Sequence, residues 1–241
     1  MDSEGEKNMA ETRLIDVKEQ ARVCRYCGKA FKRVCIHGEG TARPHFAFVA
    51  ECECEKKLSE EAERRKRTEA FMAEARVPAR LADLKFDTYP EDQMQVERIQ
   101  EWMARPVPGI LLMVGSVGRG KSGLACAALE RMAERGRVRY FYAYDLLVER
   151  VSGDTMEVLR SALEPKTIVI DEIGLQLKTP SGNEFMERIL VGRHDDYKNT
   201  ILISNMGAKE FKPLIGPRAW DRAVNDGSLM IFEGQTFRCK A

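Results

Sequence analysis

A glycine-rich segment in the middle of the chain has the residue types needed to hold phosphate. Gly115, Gly120, Lys121 and Ser122 occupy the fixed positions of the pattern G-x-x-x-x-G-K-[ST]. Glycines let backbone N–H groups wrap around phosphates, the lysine reaches the β and γ phosphates, and the serine hydroxyl is a ligand for Mg²⁺. The predicted phosphate loop consists of Gly115, Ser116, Val117, Gly118, Arg119, Gly120, Lys121 and Ser122.

Two acids end a later apolar run. Residues 167–170 have the composition of a buried strand, and Asp171 and Glu172 follow it directly. Alone, such acids more often cap helices or form turns, but downstream of a phosphate loop they predict a metal ligand and a base. Asp171 would hold Mg²⁺ through its water shell, and Glu172 would polarise the attacking water. We find no guanine-reading motif, so we interpret the nucleotide as ATP and the reaction as its hydrolysis.

Three further polar residues are candidates by position. Asn205 follows the next predicted strand, where its amide would reach the γ-phosphate or orient water. Arg218 and Arg222 lie four residues apart on one helical face and would reach the γ-phosphate of a neighbouring subunit. Pairing of these arginines with Asp221 or Asp226 is an equally good interpretation.

Cysteines cluster near the amino terminus, where five of the seven in the chain lie between Cys24 and Cys54. The pairs Cys24–Cys27 and Cys52–Cys54 supply the four thiolates of a tetrahedral zinc site. Other candidate ligands are Cys35, His37 and His45. The alternative is a coincidental cluster of buried cysteines.

Short apolar runs alternate with helical stretches through the second half of the chain, which predicts an α/β fold with a parallel sheet between helices. The predicted strands cover residues 110–114, 138–143, 167–170, 200–204 and 229–232. The predicted helices include residues 122–135 and 182–197.

Composition divides the chain into three parts. Residues 1–54 include the cysteine cluster, residues 55–76 are rich in Glu, Lys, Arg and Ala and predict a charged connecting helix, and residues 77–241 form the α/β core. Hydrophobic residues make up 44% and charged residues 32% of the 241 positions, which excludes a disordered or fibrous chain. A net charge of +1 neither favours nor excludes a nucleic-acid partner.

Nothing in the sequence predicts a membrane protein. The longest apolar run, residues 110–114, is too short to cross a bilayer, and the acidic opening has no hydrophobic segment behind it. We expect a protein of the cytoplasm.

Together these segments resemble the DnaC-type helicase loaders and their IstB-like relatives. The resemblance rests on the phosphate loop, on residues 170–174 (IDEIG), on residues 203–205 (ISN) and on residues 216–222 (GPRAWDR), with similar lead-in segments at 77–80 and 86–89. It covers about two thirds of the chain. It implies an AAA+ core that assembles with neighbouring copies and uses ATP to place a ring-shaped, hexameric replicative helicase on single-stranded DNA.

The resemblance also implies residue roles. Asn205 matches the first sensor, Arg222 the arginine finger, and Arg238 a second, nucleotide-binding sensor. The cysteine module would bind the helicase. We expect a core without a C-terminal helical lid, since the sequence stops at Ala241. Alternating Tyr140, Tyr142 and Tyr144 are predicted to pack in a strand, with base stacking as the alternative.

Two other functions stay open. An IstB-like helper ATPase for DNA transposition would share the core and serve a transposase on duplex DNA. A non-catalytic adaptor would use the nucleotide only to change shape.

Overall fold

The computed structural model describes residues 22–24, 26–31, 33–36, 45–48, 53–89, 93–174, 179–225 and 229–234. The chain forms two compact units, Met1–Arg64 and Arg65–Ala241. The boundary lies within a long helix, whereas the sequence predicted boundaries before and after that helix.

The first unit contains two small antiparallel strand pairs. Strand β1 (Arg22–Val23) pairs with β2 (Ala30–Phe31), and β3 (Arg33–Ile36) pairs with β4 (His45–Phe48). Helix α1 (Glu53–Glu74) begins in this unit. Its early turns are exposed, as expected for a helix rich in charged residues. Within the second unit its last turns are less polar, and Phe71 and Met72 pack against the core.

A five-stranded parallel sheet forms the centre of the second unit, as predicted. Its strands in chain order are β5 (Ile110–Gly115), β6 (Val138–Tyr142), β7 (Thr167–Asp171), β8 (Asn199–Ile203) and β9 (Leu229–Phe232). The order across the sheet is β6-β7-β8-β5-β9. Strand β8 therefore lies between β5, which leads into the phosphate loop, and β7, which ends in the acids.

Helices cover both faces of this sheet. They are α2 (Gln93–Ala104), α3 (Lys121–Ala133), α4 (Ala143–Ser152), α5 (Thr155–Leu163), α6 (Pro180–Asp195), α7 (Ala208–Ile215) and α8 (Pro217–Asn225). Side chains of β5 alternate between the two layers: Leu112 joins the cluster formed with α4 to α8, and Leu111 joins the cluster formed with α2 and α3. Because both faces of β5 are buried, its sequence is continuously apolar and does not alternate between apolar and polar residues.

Tyr144 differs from its predicted position in a strand. Strand β6 ends at Tyr142, and Tyr144 lies in the first turn of α4 with 63% of its surface exposed. Residues 143–163 form two helices that the sequence pattern did not resolve. Among the described helices, none combines the length and apolar composition that crossing a membrane requires.

A fully buried arginine joins the sheet to the helical layer behind it. The Arg193 guanidinium donates to Thr200 Oγ1 at 2.9 Å and to the backbone carbonyls of Ala162 at 2.8 Å and Pro165 at 2.9 Å. It also donates to Asn199 O at 2.6 Å. Burial lowers the pKa of Arg193 to about 9, because the charge has left water for neutral oxygen partners.

We expect Arg193→Ala to lower the free energy of unfolding by about 3 kcal/mol or more, because it leaves several buried carbonyls without donors. Urea denaturation measures the change. The matched control is Arg188→Ala on the same helix, where the side chain is exposed and the expected change is within about 0.5 kcal/mol. Equal stability of the two variants would contradict the structural role of Arg193.

Candidate functional site

The phosphate loop is anchored at its start by two neighbouring strand ends. Gly115 N donates to Met206 O at 3.1 Å, and Ser116 N donates to Phe232 O at 2.9 Å. Gly115 has φ +121°, and a Cβ there would lie 2.2 Å from the Phe232 carbonyl oxygen. Only glycine fits this approach of two backbones.

The remainder of the loop turns into α3. Gly118 and Gly120 have φ values of +75° and +77°, which residues with a side chain rarely adopt. Helix α3 begins at Lys121, so its unpaired N–H groups and the positive end of its dipole lie beside the loop. The arrangement is an anion site built from backbone groups.

Lys121 lies within this loop with 3% of its surface exposed. Its Nζ donates to Gly115 O at 2.8 Å and to Ser116 O at 2.7 Å. Burial lowers the pKa of Lys121 to about 8; the Asp171 charge opposes this shift and the Arg119 charge adds to it. The ammonium is thus held by neutral carbonyls, and a phosphate would be a stronger partner.

Asp171 and Glu172 end β7 beside the loop. Asp171 is 3% exposed; its Oδ1 accepts from Glu172 N at 2.6 Å, and its Oδ2 accepts from the Tyr140 hydroxyl. Glu172 has φ +57°, an uncommon conformation for a residue with a side chain. This turn directs the chain so that Asp171 is buried while Glu172 is exposed at the site.

The turns after β7 and β8 are joined to each other, which fixes the position of Asn205. Ile173 N donates to Ile203 O at 2.9 Å, and Ser204 Oγ donates to Ile173 O at 2.6 Å. Asn205 follows at once and is exposed. Its distance from the acids is therefore set by the sheet edge and not by a free loop.

All three segments border one cavity of about 330 Å³, a size typical of small-molecule sites. From the predicted site it is lined by Val117, Gly118, Arg119, Gly120, Lys121, Ser122, Asp171, Glu172 and Asn205. Ser122 and Asp171 both face it, so an oxygen-liganded Mg²⁺ fits the donors present. The structure brings together the loop, the acids and Asn205 as the sequence predicted.

One wall of the cavity was missed by sequence reasoning. It is formed by Arg80, Leu81, Leu84 and Tyr89 from the segment before α2. Leu84 packs against the first turn of α3, where a Cβ on Gly123 would lie 2.8 Å from Leu84 Cδ1. An apolar and aromatic wall beside a phosphate loop suits a nucleobase.

The predicted arginines lie elsewhere. Neither Arg218 nor Arg222 is among the residues lining the cavity. Arg222 Nε donates to His194 Nδ1 at 3.1 Å, and its guanidinium pairs with Asp195 at 3.1 Å, a partner on α6 that spacing did not reveal. Arg218 is exposed on α8. Arg238 lies outside the described residues.

The tyrosines of β6 have different environments. Tyr140 is 2% exposed and donates to Asp171, so base stacking is excluded for it. Burial, with the Asp171 charge, raises the pKa of Tyr140, which keeps its hydroxyl a donor. Tyr142 packs edge-on against the Tyr140 ring at 5.5 Å.

Three of the predicted zinc ligands lie together in the first unit. The Sγ atoms of Cys24, Cys27 and Cys54 are all within 4.8 Å of one another. Tyr26 N donates to Cys24 Sγ at 3.4 Å. Thiolates of a tetrahedral zinc site stand about 3.8 Å apart, because Zn–S bonds are about 2.3 Å long. The three sulfur atoms are therefore close enough together to be three of the four ligands of a zinc ion.

The fourth ligand is not identified by the described residues. Cys52 and His37 lie outside them, and Cys35 and His45 lie in strands β3 and β4. Cys54 lies in the first turn of α1. A zinc ligand at this position would therefore come from the start of a helix.

We expect Lys121→Ala to weaken ATP binding by about 10- to 100-fold, the value of one charge-assisted contact. The free energy of unfolding should change little, because the Gly115 and Ser116 carbonyls that lose the ammonium belong to residues that are partly or fully exposed and can bind water instead. Titration with a fluorescent ATP analogue and urea denaturation measure the two effects.

The control for Lys121→Ala is Lys85→Ala, which removes the same charge from an exposed pair with Glu130 outside the cavity lining. Its nucleotide affinity should equal that of the unchanged protein. Unaltered affinity in Lys121→Ala would count against this cavity as the nucleotide site.

Comparisons with known proteins also identify ATP-binding relatives of this chain. The family described as IstB-like ATP binding protein matches residues 28–234. The replicative helicase loader DnaC of Escherichia coli K12 is 29% identical over 134 residues, which cover 52% of this chain and 55% of the loader. An insertion sequence IS5376 putative ATP-binding protein of Geobacillus stearothermophilus is 24% identical over 140 residues, covering 54% of this chain and 55% of that protein.

The fold has solved counterparts as well. A crystal structure of the DnaC helicase loader superposes with a TM-score of 0.54 at 20% identity and covers 65% of this chain and all of that one. This likeness shows the AAA+ fold. The sequence alignments span about half the length of the two relatives. Because the family match extends over most of the sequence and includes every segment that forms the cavity, the chain belongs to the IstB-like ATP-binding proteins, a family of P-loop ATPases.

Proposed function

We propose that this protein uses ATP to load a ring-shaped replicative helicase onto single-stranded DNA during replication. The observation that carries the proposal is the cysteine cluster in the first unit, ahead of an ATP core that is similar to DnaC. In this proposal residues 1–54 bind the hexameric helicase, and residues 77–241 bind ATP and self-associate. Residues 55–76 form the charged helix that connects these two parts. These partners would place the protein in the bacterial cytoplasm.

In the ATP site, Ser122 and Asp171 would hold Mg²⁺ on the bound nucleotide. Glu172 is exposed at the cavity and would polarise the attacking water, and Asn205 would contact the γ-phosphate from the neighbouring turn. Arg222 and Arg218 would reach the nucleotide of a neighbouring subunit, and Arg238 would be a second, nucleotide-binding sensor. The absence of Arg222 from the cavity lining of its own subunit supports a role at the nucleotide of a second copy.

In the amino-terminal unit we propose that Cys24, Cys27, Cys52 and Cys54 bind zinc. Zinc would cross-link a segment whose described strands are only two to four residues long.

The test is copurification of the full chain with a replicative helicase, with and without ATP, followed by a helicase-loading assay on single-stranded DNA. We expect a complex that forms in the intact protein and is lost in a Cys27→Ser, Cys54→Ser double variant whose nucleotide affinity is unchanged. If helicases neither bind the intact chain nor are loaded by it, the proposal fails.

The alternative is a helper ATPase for transposition. It is favoured by the family match and by the likeness to the insertion-sequence protein. A preference for duplex over single-stranded DNA, together with stimulation of a transposase, would establish this function instead.

A further inference from the structure

The proposed mechanism assigns no role to the Tyr140 hydroxyl, which is buried in the second unit. Tyr140 lies in the middle of β6, in parallel register opposite Val169 of β7, two residues before Asp171. Residues two apart in a strand share a face, so Val169 and Asp171 both face α3, the side on which the Tyr140 ring is buried. The hydroxyl bonds Asp171 Oδ2.

Apolar packing accounts for the ring but not for the hydroxyl. Tyr140 is 2% exposed within a cluster of apolar side chains, where a phenylalanine would bury the same ring without a polar atom. A buried hydroxyl costs free energy unless it is bonded, and its bond here goes to a carboxylate that lines the nucleotide cavity.

The two bonds to Asp171 fix its carboxylate from two directions. Oδ1 accepts from Glu172 N at 2.6 Å and Oδ2 from Tyr140. Each carboxylate oxygen has two lone pairs, so both oxygens keep one for a metal-bound water. Partners behind a metal-binding carboxylate restrict its rotation and hold it ready for the ion.

We propose that Tyr140 is a positioning residue that holds Asp171 in the orientation needed to bind the magnesium of Mg·ATP. Its effect is on the metal-dependent part of nucleotide binding and not on the packing of β6. The inference rests on the ATP site of the proposed function and is independent of the helicase and of DNA.

The experiment compares nucleotide affinity with magnesium and with EDTA, using a fluorescent ATP analogue and the full chain. In Tyr140→Phe we expect the gain in affinity due to magnesium to fall by about tenfold, the usual effect of removing a partner behind a metal ligand. Affinity in EDTA should stay within twofold of the unchanged protein, roughly the limit of detectable change. The magnesium concentration that gives half-maximal ATP hydrolysis should rise by a similar factor of about ten.

Tyr142→Phe is the matched control. Tyr142 lies in the same strand, and its ring packs on Tyr140. The hydroxyl that this substitution removes interacts with Arg80. Any change in its affinity should be the same with and without magnesium.

A double-mutant cycle adds a measurement without metal. Tyr140→Phe and Asp171→Ala should have non-additive effects on the free energy of unfolding in EDTA, because each removes one partner of the same hydrogen bond. Additive effects would overturn the proposal, and so would a Tyr140→Phe variant with unchanged magnesium dependence or with equal losses in magnesium and EDTA. Failure of helicase binding alone would leave it intact.

Discussion

Glu172→Gln is expected to reduce ATP turnover by about 10²- to 10⁴-fold, the usual contribution of a positioned general base. The amide has nearly the size of the carboxylate but cannot accept the proton of the attacking water. ATP affinity should be retained, because Lys121 and the loop backbone, which would contact the phosphates, line the cavity and are not altered. Steady-state phosphate release and nucleotide titration on the same preparation measure both quantities.

Asp145→Asn is a suitable control for Glu172→Gln, since it removes an exposed acid from the first turn of α4 outside the cavity lining. Its turnover should match the unchanged protein. Turnover that survives Glu172→Gln would indicate a different base. Nucleotide binding without any turnover in the unchanged protein would support the adaptor hypothesis, in which nucleotide only changes the shape of the protein.

Arg222→Ala is expected to lower turnover by about 10³- to 10⁵-fold with ATP binding intact, the range found for arginine fingers. The side chain is absent from the cavity lining of its own subunit, so we expect it to act at the active site of a neighbouring subunit. Turnover measured over a range of protein concentrations should show the dependence on assembly.

A structural explanation for Arg222 can be separated from this one. The arginine holds α8 to α6 through His194 and Asp195. If that contact were its role, His194→Ala would reproduce the loss; we expect His194→Ala to keep most turnover.

Mixing Arg222→Ala subunits with Glu172→Gln subunits gives the most direct test of action between subunits. Each variant keeps what the other lacks, so interfaces with both an intact Arg222 and an intact Glu172 form in the mixture. Activity should return in part. A mixture as inactive as its components would argue against a finger that acts in trans.

The parts of the site that were predictable are those whose chemistry requires adjacent residues. A phosphate loop must lie between the end of a strand and the start of a helix. In this sequence Gly115 directly follows the apolar run of a strand, and Lys121 begins the helical segment. Asp171 and Glu172 were predictable for the same reason, because a parallel strand delivers both to one sheet edge.

The parts that were not predictable depend on contacts between distant segments. The wall containing Leu84 and Tyr89 exists only because the segment before α2 folds onto α3. The partner of Arg222 lies 28 residues away on another helix. Tyr144 matched the strand alternation by chance, since Tyr142 already ends the strand.

The insertion of β8 between β5 and β7 sets the separation between the phosphate loop and the acids that line the cavity. Neighbouring strands stand about 4.8 Å apart, so the strand leading to the loop and the strand ending in Asp171 are separated by about 10 Å. Adjacent strands would leave half that gap, too narrow for phosphate oxygens, a hydrated cation and a water molecule side by side. The middle strand thus separates the loop from the acids, and Asn205 follows the end of that strand and lines the cavity between them.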